Sequence, residues 1–298
     1  MSGATSMAPV TRRVRAYFAP VERVSGVPTL FDAAVSGGFG VEAPPAPWVD
    51  LGWCRGFVRR CGTKVVAVRG GSPAVAQSQV RTEIEASVGV EFESWGKLQM
   101  ALAAGSAQMN LLRGSGAAVA VGAGSTAATL QVATTGFVVG DLVAVDVDYV
   151  GQVGFVGSGV SGAYVASALS DVEYVRRVTL NVGRVAGVAA GVLQLAGPLL
   201  AGDPVAGMKV RRVAGFMDRE GGSFFQEWSG LFVTEGEQGD RVIYHYPRLQ
   251  TMQGAAEVME ELAGPLEKVR LAGAFRALPV RDAVDGETVI CFRSYLVA

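Results

Sequence analysis

Four glutamates within residues 80–93 are spaced so that they could act as paired carboxylates. Glu83 and Glu85 are two residues apart, as are Glu91 and Glu93, and residues two apart lie on one face of a β-strand. Two carboxyl groups on one face are the groups that glycoside hydrolysis uses. That reaction also needs a pocket that raises the pKa of one carboxyl group, and the sequence indicates no pocket. A solvated acidic face is the simpler interpretation.

The other reactive side chains are one histidine, His245, and three cysteines, Cys54, Cys61 and Cys291. His245 lies in a strand-like run, and neither a Gly-x-Ser-x-Gly elbow nor an activated-cysteine signature accompanies it. The cysteines are odd in number and form no Cys-x-x-Cys pair, so they indicate neither a disulfide framework nor a zinc site. We predict a structural histidine, thiols in a reducing compartment, and a protein that is not an enzyme.

Three segments match ligand-binding loops only in part. Residues 114–119 begin like a dinucleotide-binding loop but lack its third glycine and its βαβ context. The pairs Asp146 and Asp148, and Asp171 and Glu173, could hold a cation, but the spacing of a calcium loop is absent. We therefore predict no cofactor and no metal ion.

The composition favours an all-β protein with many turns. Half of the 298 residues are apolar, and 40 glycines and 12 prolines occur without a collagen-like period. The formal charge of -1 gives no general attraction to nucleic acid or to an anionic membrane. Residues 1–15 contain no apolar segment typical of a secretory signal. The uncharged stretches 114–140 and 185–202 are broken by glycine, so we predict short strands there and no membrane span.

The clearest structural pattern is the alternation of residues 80–93, which predicts one long β-strand with a dry and a wet face. The period then changes to 3.6, which predicts a helix over residues 95–104, ended by Gly105. Spaced apolar residues before Gly264-Pro265 predict a second helix at residues 252–262. Further strands are predicted at residues 49–58, 63–68, 223–233, 241–246, 268–277 and 288–296.

These elements predict a mainly β protein, an antiparallel β-barrel or sandwich with one or two flanking α-helices and an inserted β-rich segment. Residues 1–50 are rich in proline and are expected to form an extended N-terminal arm. Residues 51–112 and 210–298 are expected to form one β domain. Residues 113–209, which are poor in charge and aromatic residues, are expected to be an inserted β-rich module or elaborated loops.

Three features of this order resemble phage-type tail tube proteins. They are the strand ending Val90-Glu-Phe-Glu93, the following Leu98-Gln-Met-Ala-Leu102, and the later Tyr244-His-Tyr-Pro-Arg248. The segment Leu271-x-Gly-x-Phe275-x-Ala-Leu278 strengthens the resemblance, which covers residues 48–112 and 210–298. It implies a barrel or sandwich assembled into stacked hexameric rings, with strands of neighbouring subunits joined into one inner wall around a hollow conduit for DNA.

The resemblance also implies partners and a location. The expected partners are further copies of the chain and other phage tail proteins, and DNA is expected to pass through the lumen without specific binding. No membrane partner is expected. The expected location is the tail of the virion, assembled in the cytoplasm of a bacterial host.

A tube wall needs strands with one dry face and one wet face, and two of the predicted strands provide them. The candidate core residues are Val80, Ile84, Val88, Val90, Phe92, Leu98, Leu102 and Phe275. The candidate lumen-lining residues are Arg81, Glu83, Glu85, Glu91, Glu93, Lys268, Arg270 and Arg276. The glutamates would repel DNA, but if the two strands are neighbours, pairs between glutamates and basic residues would nearly cancel the field.

Two other functions fit the sequence. A capsid decoration protein or a tail-terminator protein would bind a preformed lattice and would not need to stack on itself. A carbohydrate-binding β-protein would use Trp228, Tyr244, Tyr246 and the glutamates, although aromatic residues on strands more often belong to the core.

Overall fold

The fold is mainly antiparallel β-structure with short helices, as the sequence predicts. A computed structural model describes residues 13–21, 26–105, 107–112, 119–146, 162–163, 182–199, 202–205, 208–219, 227–236, 239–252, 257–261 and 267–297. Its helices are α1 (Ala33–Ser36) and α2 (Lys97–Ala104). Its strands are β1 (Val14–Pro20), β2 (Val49–Gly70), β3 (Val75–Phe92), β4 (Ala107–Leu112), β5 (Val119–Ala120), β6 (Thr129–Gln131), β7 (Leu142–Asp146), β8 (Gly162–Ala163), β9 (Val182–Ala189), β10 (Val192–Leu195), β11 (Lys209–Arg219), β12 (Glu227–Glu235), β13 (Arg241–Thr251), β14 (Glu257–Glu261), β15 (Glu267–Leu278), β16 (Val280–Arg281), β17 (Thr288–Val289) and β18 (Phe292–Leu296).

The chain divides into two compact units. The first comprises Met1–Val21, Val27–Trp95 and Glu227–Ala298, and the second comprises Glu22–Gly26 and Gly96–Gln226. The second unit therefore begins before the predicted insertion at residue 113 and ends after residue 209. Its extra residues include β4 and β11, which pair with the inserted strands, and α2, which packs on β4 and β11.

Six strands of the first unit close into an antiparallel barrel. Their order is β15-β3-β2-β1-β12-β13, and β13 pairs with β15 to complete the ring. The closing register runs from Arg248 opposite Leu278 to Thr251 opposite Phe275. The first half of β13 pairs with β18 instead, and β14 adds to β15 outside the ring. Closure gives both edges of these six strands a partner over part of their length.

Aromatic side chains fill the interior of the barrel. The ring of Phe18 on β1 lies 5.3 Å from that of Phe275 and 5.9 Å from that of Phe232, measured between centroids. Trp228 packs against Phe18 from β12, and Phe92 of β3 is also fully buried. Alternation along each strand produces this core, because every second side chain points inward.

Residues 27–48 cover the outer face of β1, β12 and β13. Phe31, Phe39 and Trp48 pack there against the outward side chains of the three strands. The Tyr17 hydroxyl donates a hydrogen bond of 2.7 Å to the carbonyl oxygen of Val41. Arg241 Nη1 donates to the carbonyl oxygens of Gly37 and Phe39. Residues 13–21 and 26–48 therefore do not form the predicted extended arm. Instead, β1 lies inside the sheet and residues 27–48 pack upon it.

The two predicted helices have different outcomes. The helix predicted at residues 95–104 is confirmed as α2, and Gly105 ends it in the left-handed region at φ 65°. The helix predicted at residues 252–262 is wrong for Glu257–Glu261, which form β14 and pair with β15. Helical spacing over so short a segment does not exclude an edge strand, and pairing with a long neighbour decides the outcome.

The second unit has its own sheet and its own core. The strand order is β6-β10-β9-β7-β11-β4-β8, and β5 also pairs with β11. Its core consists of valine and leucine side chains, namely Val121, Leu130, Val132, Val143, Val145, Val185, Leu193, Leu195, Leu199 and Val210. These short strands lie within the two uncharged stretches and around them. None of the helices among the described residues has the length and apolar composition needed to cross a membrane.

Candidate assembly surface

A two-stranded ribbon extends from the barrel beyond the last neighbouring strand. We define the exposed ribbon as residues 60–85, the distal parts of β2 and β3 with their connecting turn. Its register runs from Gly62 opposite Glu85 to Gly70 opposite Val75. The pairing of β15 with β3 stops at Ala86, and that of β1 with β2 stops at Cys54. Among the described residues, the ribbon therefore has no third strand, and it reaches roughly 25–30 Å from the barrel.

The exposed ribbon carries large apolar side chains on the surface. All of residues 71–85 are exposed, and so are residues 60–66. The exposed side chains include Val65, Val66, Val68, Val75, Val80 and Ile84, each between 39% and 58% accessible. A two-stranded ribbon is only marginally stable by itself, and open edges with apolar side chains are templates for another chain. This part of the molecule has the properties of an interface without its partner.

Val80 and Ile84, which the sequence predicts to be in the core, are exposed. The predicted dry face is buried only from Ala86 onward, where Val88, Val90 and Phe92 point into the barrel. Residues 80–85 lie beyond the last pairing of β15 with β3, and no layer formed by the described residues covers their apolar side chains. Phe275 is buried in the barrel, while Leu98 and Leu102 are buried in the second unit.

Arg59 fixes the base of the exposed ribbon to the barrel. Its Nε donates a hydrogen bond of 2.6 Å to the Tyr246 hydroxyl, and its guanidinium lies 4.6 Å from the centroid of the Tyr244 ring. Burial raises the pKa of the Tyr246 hydroxyl, so this group stays protonated. The contact joins β2 to β13 across the mouth of the barrel.

The strands β2, β3 and β15 together present a charged outer face. The basic strand and the acidic strand are neighbours, as Ala272 lies opposite Glu91 and Arg276 opposite Ser87. Arg270 Nη1 donates to Glu91 Oε2 at 2.8 Å, and the side chain of Arg270 is nearly buried. The expected pairing between these two strands is therefore present.

The other strand neighbour, β2, supplies further cations to this face. Arg55 pairs with Glu93, and Arg13 approaches the same carboxylate at 3.9 Å. Lys64 Nζ lies 3.8 Å from Glu83 Oε2, opposite it in the register. Glu91 and Glu93 are thus held in ion pairs, while the Lys64 pair is largely exposed and contributes little to stability.

The charges on this face nearly cancel. Its acidic residues are Glu83, Glu85, Glu91 and Glu93, and its basic residues are Arg55, Arg60, Lys64, Arg270 and Arg276. These four acids and five bases, counted without Arg81 and Lys268, differ by one charge. Because β2 and β15 both lie beside β3, arginine and lysine stand next to the glutamates, which is the arrangement in which the sequence predicts that the charges nearly cancel.

Two predicted lining residues need separate description. Arg81 is exposed on the ribbon, where an irregularity in the pairing separates it from Glu83. Lys268 lies opposite Glu260 in the register of β14 and β15. Both thus belong to the strands that carry the other predicted lining residues.

His245 is buried on the outer face of β13 in an aromatic box. Its ring stacks on Phe292 at 5.6 Å and meets Trp48 and Phe31 edge to face. Burial lowers the pKa of His245 to about 4, against a smaller opposing effect from the Thr29 carbonyl. The imidazole is neutral at pH 7 and out of reach of a substrate, which agrees with a structural histidine.

Nothing in the described part of the chain forms a metal-ligand cluster. Burial raises the pKa of the Cys54 thiol to about 12, and all three cysteines are free thiols. The candidate residues Asp148, Asp171 and Glu173 and the dinucleotide-like residues 114–118 lie outside the described residues.

The aromatic platform proposed for sugars is not available on the surface. Trp228 and Tyr246 are each 1% exposed and belong to the barrel core. Tyr244 is half-buried beneath Arg59. The carbohydrate hypothesis therefore loses two of its three aromatic side chains.

The sequence analysis missed the basic residues of β2. The sequence predicts two short strands, at residues 49–58 and 63–68, whereas β2 runs unbroken from Val49 to Gly70. Gly56 adopts φ 58° at an irregularity in the pairing with β3. The alternation of Arg60, Gly62 and Lys64 opposite Ser87, Glu85 and Glu83 is the signal that could have identified this face.

Comparison of the chain with protein-family models and with curated proteins finds no match.

Proposed function

We propose that this protein is a structural subunit of a phage-type tail tube. Copies of the chain form hexameric rings, the rings stack, and the resulting hollow tube conducts DNA. In this proposal the protein acts in the virion tail, is assembled in the cytoplasm of a bacterial host, and contacts other tail proteins. It performs no catalysis.

The exposed ribbon is the observation that carries the proposal. Its valines, open edges and two uncovered faces require another chain to bury them, and further copies of the same chain can do so repeatedly. A closed barrel gives such an assembly a rigid body from which the ribbon projects. The sequence resemblance to tail tube proteins supplies the type of assembly.

The charged outer face supports the second part of the proposal, which concerns DNA. A conduit must tolerate a polyanion without holding it, since each phosphate neutralised by a cation adds affinity. Five basic and four acidic residues on β2, β3 and β15 form a face that neither attracts nor repels DNA strongly. In this proposal that face lines the lumen.

Electron microscopy of the purified protein tests the proposal. The wild-type chain is expected to form rings and stacked tubes at high concentration. Val66 and Val80 lie opposite each other on the ribbon, so the double change Val66→Asp, Val80→Asp places two charges in the interface and should leave folded monomers. The matched control is Val284→Asp, which changes a valine that is 94% exposed outside the ribbon and should assemble normally.

The alternative outcomes have definite meanings. Monomers of the wild-type chain at every concentration, even beside tail assembly partners, would contradict the proposal. Single rings that never stack would favour a tail-terminator protein, and binding only to a preformed capsid lattice would favour a decoration protein. Near-ultraviolet circular dichroism should be unchanged in the double variant, which separates lost assembly from lost folding.

A further inference from the structure

On the outer face of the barrel, Ser87 lies directly between two arginines. Its partners in the register are Arg60 on β2 and Arg276 on β15. Residues directly opposite in an antiparallel sheet project from the same face with Cα atoms about 5 Å apart. Two guanidinium groups therefore flank one hydroxyl group, on Cα atoms that are roughly 10 Å apart.

The charge of this row is not neutralised within the described chain. Arg60 and Arg276 are exposed, and among the residues that the structure describes neither forms an ion pair. Their neighbours on the same face differ, because Arg270 pairs with Glu91 and Arg55 with Glu93. The row is therefore a local cationic site on a face that is nearly neutral as a whole.

The surface beside the row is open. The next residue of β3 on this face is Gly89, and a Cβ atom added there would meet nothing within 4 Å. Its register partners are Val58 and Ala274, neither of which carries charge. A ligand can therefore approach the backbone closely at this point.

The donors of the row match the oxygen atoms of a phosphate group. A guanidinium group donates to phosphate oxygens through two parallel N–H bonds, and a serine hydroxyl adds a third direction. We propose that Arg60, Ser87 and Arg276 form a contact site for a phosphate of the DNA backbone. The choice of DNA as the occupant rests on the proposed function, in which this face lines the conduit.

Glu85 limits the affinity of this site. It is the preceding residue of β3 on the same face, and its register partner is Gly62, which carries no charge. A bound phosphate therefore lies close to an uncompensated carboxylate, and the two negative charges repel. The site contacts the backbone, carries no information about base sequence, and releases the DNA readily.

Fluorescence anisotropy with a labelled DNA duplex at low salt tests the site on the full chain. The double change Arg60→Gln, Arg276→Gln is expected to weaken binding and to reduce the slope of log K against log salt by about two units. Arg281→Gln, Arg293→Gln is the matched control, because both residues are exposed and lie on β16 and β18, strands that contribute no residue to the row. Glu85→Gln is expected to tighten binding, and Gly89→Leu to weaken it without changing the charge.

Two results would overturn the inference. One is equal loss of binding in the row variant and the control variant, which would make the attraction a matter of net charge alone. The other is a wild-type protein that does not bind DNA even at low salt. Microscopy of the same samples separates the two proposals. Tubes whose DNA binding is unchanged in the row variant would contradict only the phosphate site. Row-dependent DNA binding by a protein that never forms rings would contradict only the tail tube.

Discussion

At the scale of single residues, the most informative side chain is His245. Sequence reasoning assigned it a structural role because no catalytic partner accompanies it. In the structure, Trp48, Phe31 and Phe292 pack around the His245 ring, and these contacts connect residues 27–48 to β13 and β18. The Nδ1 atom is buried without a hydrogen-bond partner in the described part of the chain. The box therefore accommodates the neutral ring and disfavours the charged one.

This box predicts how stability depends on pH. The pKa of His245 is about 4 in the folded protein, below the ordinary value of about 6.5. Between these values the unfolded chain binds more protons, so stability falls as the pH is lowered from about 6.5 towards 4. The loss should approach about 3 kcal/mol, and urea unfolding across this range measures it.

The control is His245→Phe, which keeps an aromatic ring in the box and removes the titration. Because His245 is the only histidine and both proteins carry the same carboxylates, the difference between their pH profiles isolates the effect of this one titration. Parallel pH profiles for the two proteins would show that His245 is not the cause.

At the scale of elements, the exposed ribbon differs from the rest of its own strands. β2 leaves the barrel and β3 returns to it. Inside the barrel each strand has a neighbour on both sides, whereas in the ribbon, among the described residues, the two strands pair only with each other. Local stability falls where buried apolar contacts are few. The same strand therefore contains a part fixed in the barrel and a part with few buried contacts.

Hydrogen exchange should detect this division. In unassembled protein, amides of residues 62–84 are expected to exchange much faster than those of β1 and β12, because the ribbon opens without unfolding the barrel. In assembled protein the ribbon amides should become protected. Mass spectrometry of peptides from both states measures the change, with peptides from β1 as the internal control. A ribbon already as protected as β1 in the monomer would contradict the proposed interface.

The element scale also shows what the sequence could and could not predict. Alternation identified β3 and β15, and the change of period with Gly105 identified α2, because these patterns arise within one element. The sequence did not reveal which strands are neighbours, and the sign of the charged face depends on β2 lying beside β3. Nor could alternation distinguish Val80 from Val90, since their exposure depends on where β15 ends.

At the scale of the whole molecule, two units carry separate hydrophobic cores. The barrel core is largely aromatic, and the ring of Phe18 contacts those of Phe232 and Phe275. The core of the second unit is aliphatic, with Leu193 and Val143 fully buried. This difference agrees with the change in composition that the sequence shows after residue 112, although the second unit is larger than the predicted insertion.

Separate cores predict separate unfolding. Calorimetry is expected to resolve two transitions, since each unit can lose its own core. Leu193→Ala should lower one transition and Phe232→Ala the other, each by the equivalent of about 2–5 kcal/mol at these buried positions. A single transition lowered equally by both changes would contradict independent unfolding.

In the exposed ribbon, β2 and β3 stay paired as far as the turn despite two shifts of register, so the number of residues in the two strands sets the length of the ribbon. Each added pair of opposite residues moves the turn at residues 71–74 outward by about 3.3 Å, while the barrel pairings remain unchanged. Lengthening both strands together therefore lengthens the ribbon without changing the folded barrel. A lineage of such proteins can change the spacing of what it builds through small insertions at one turn.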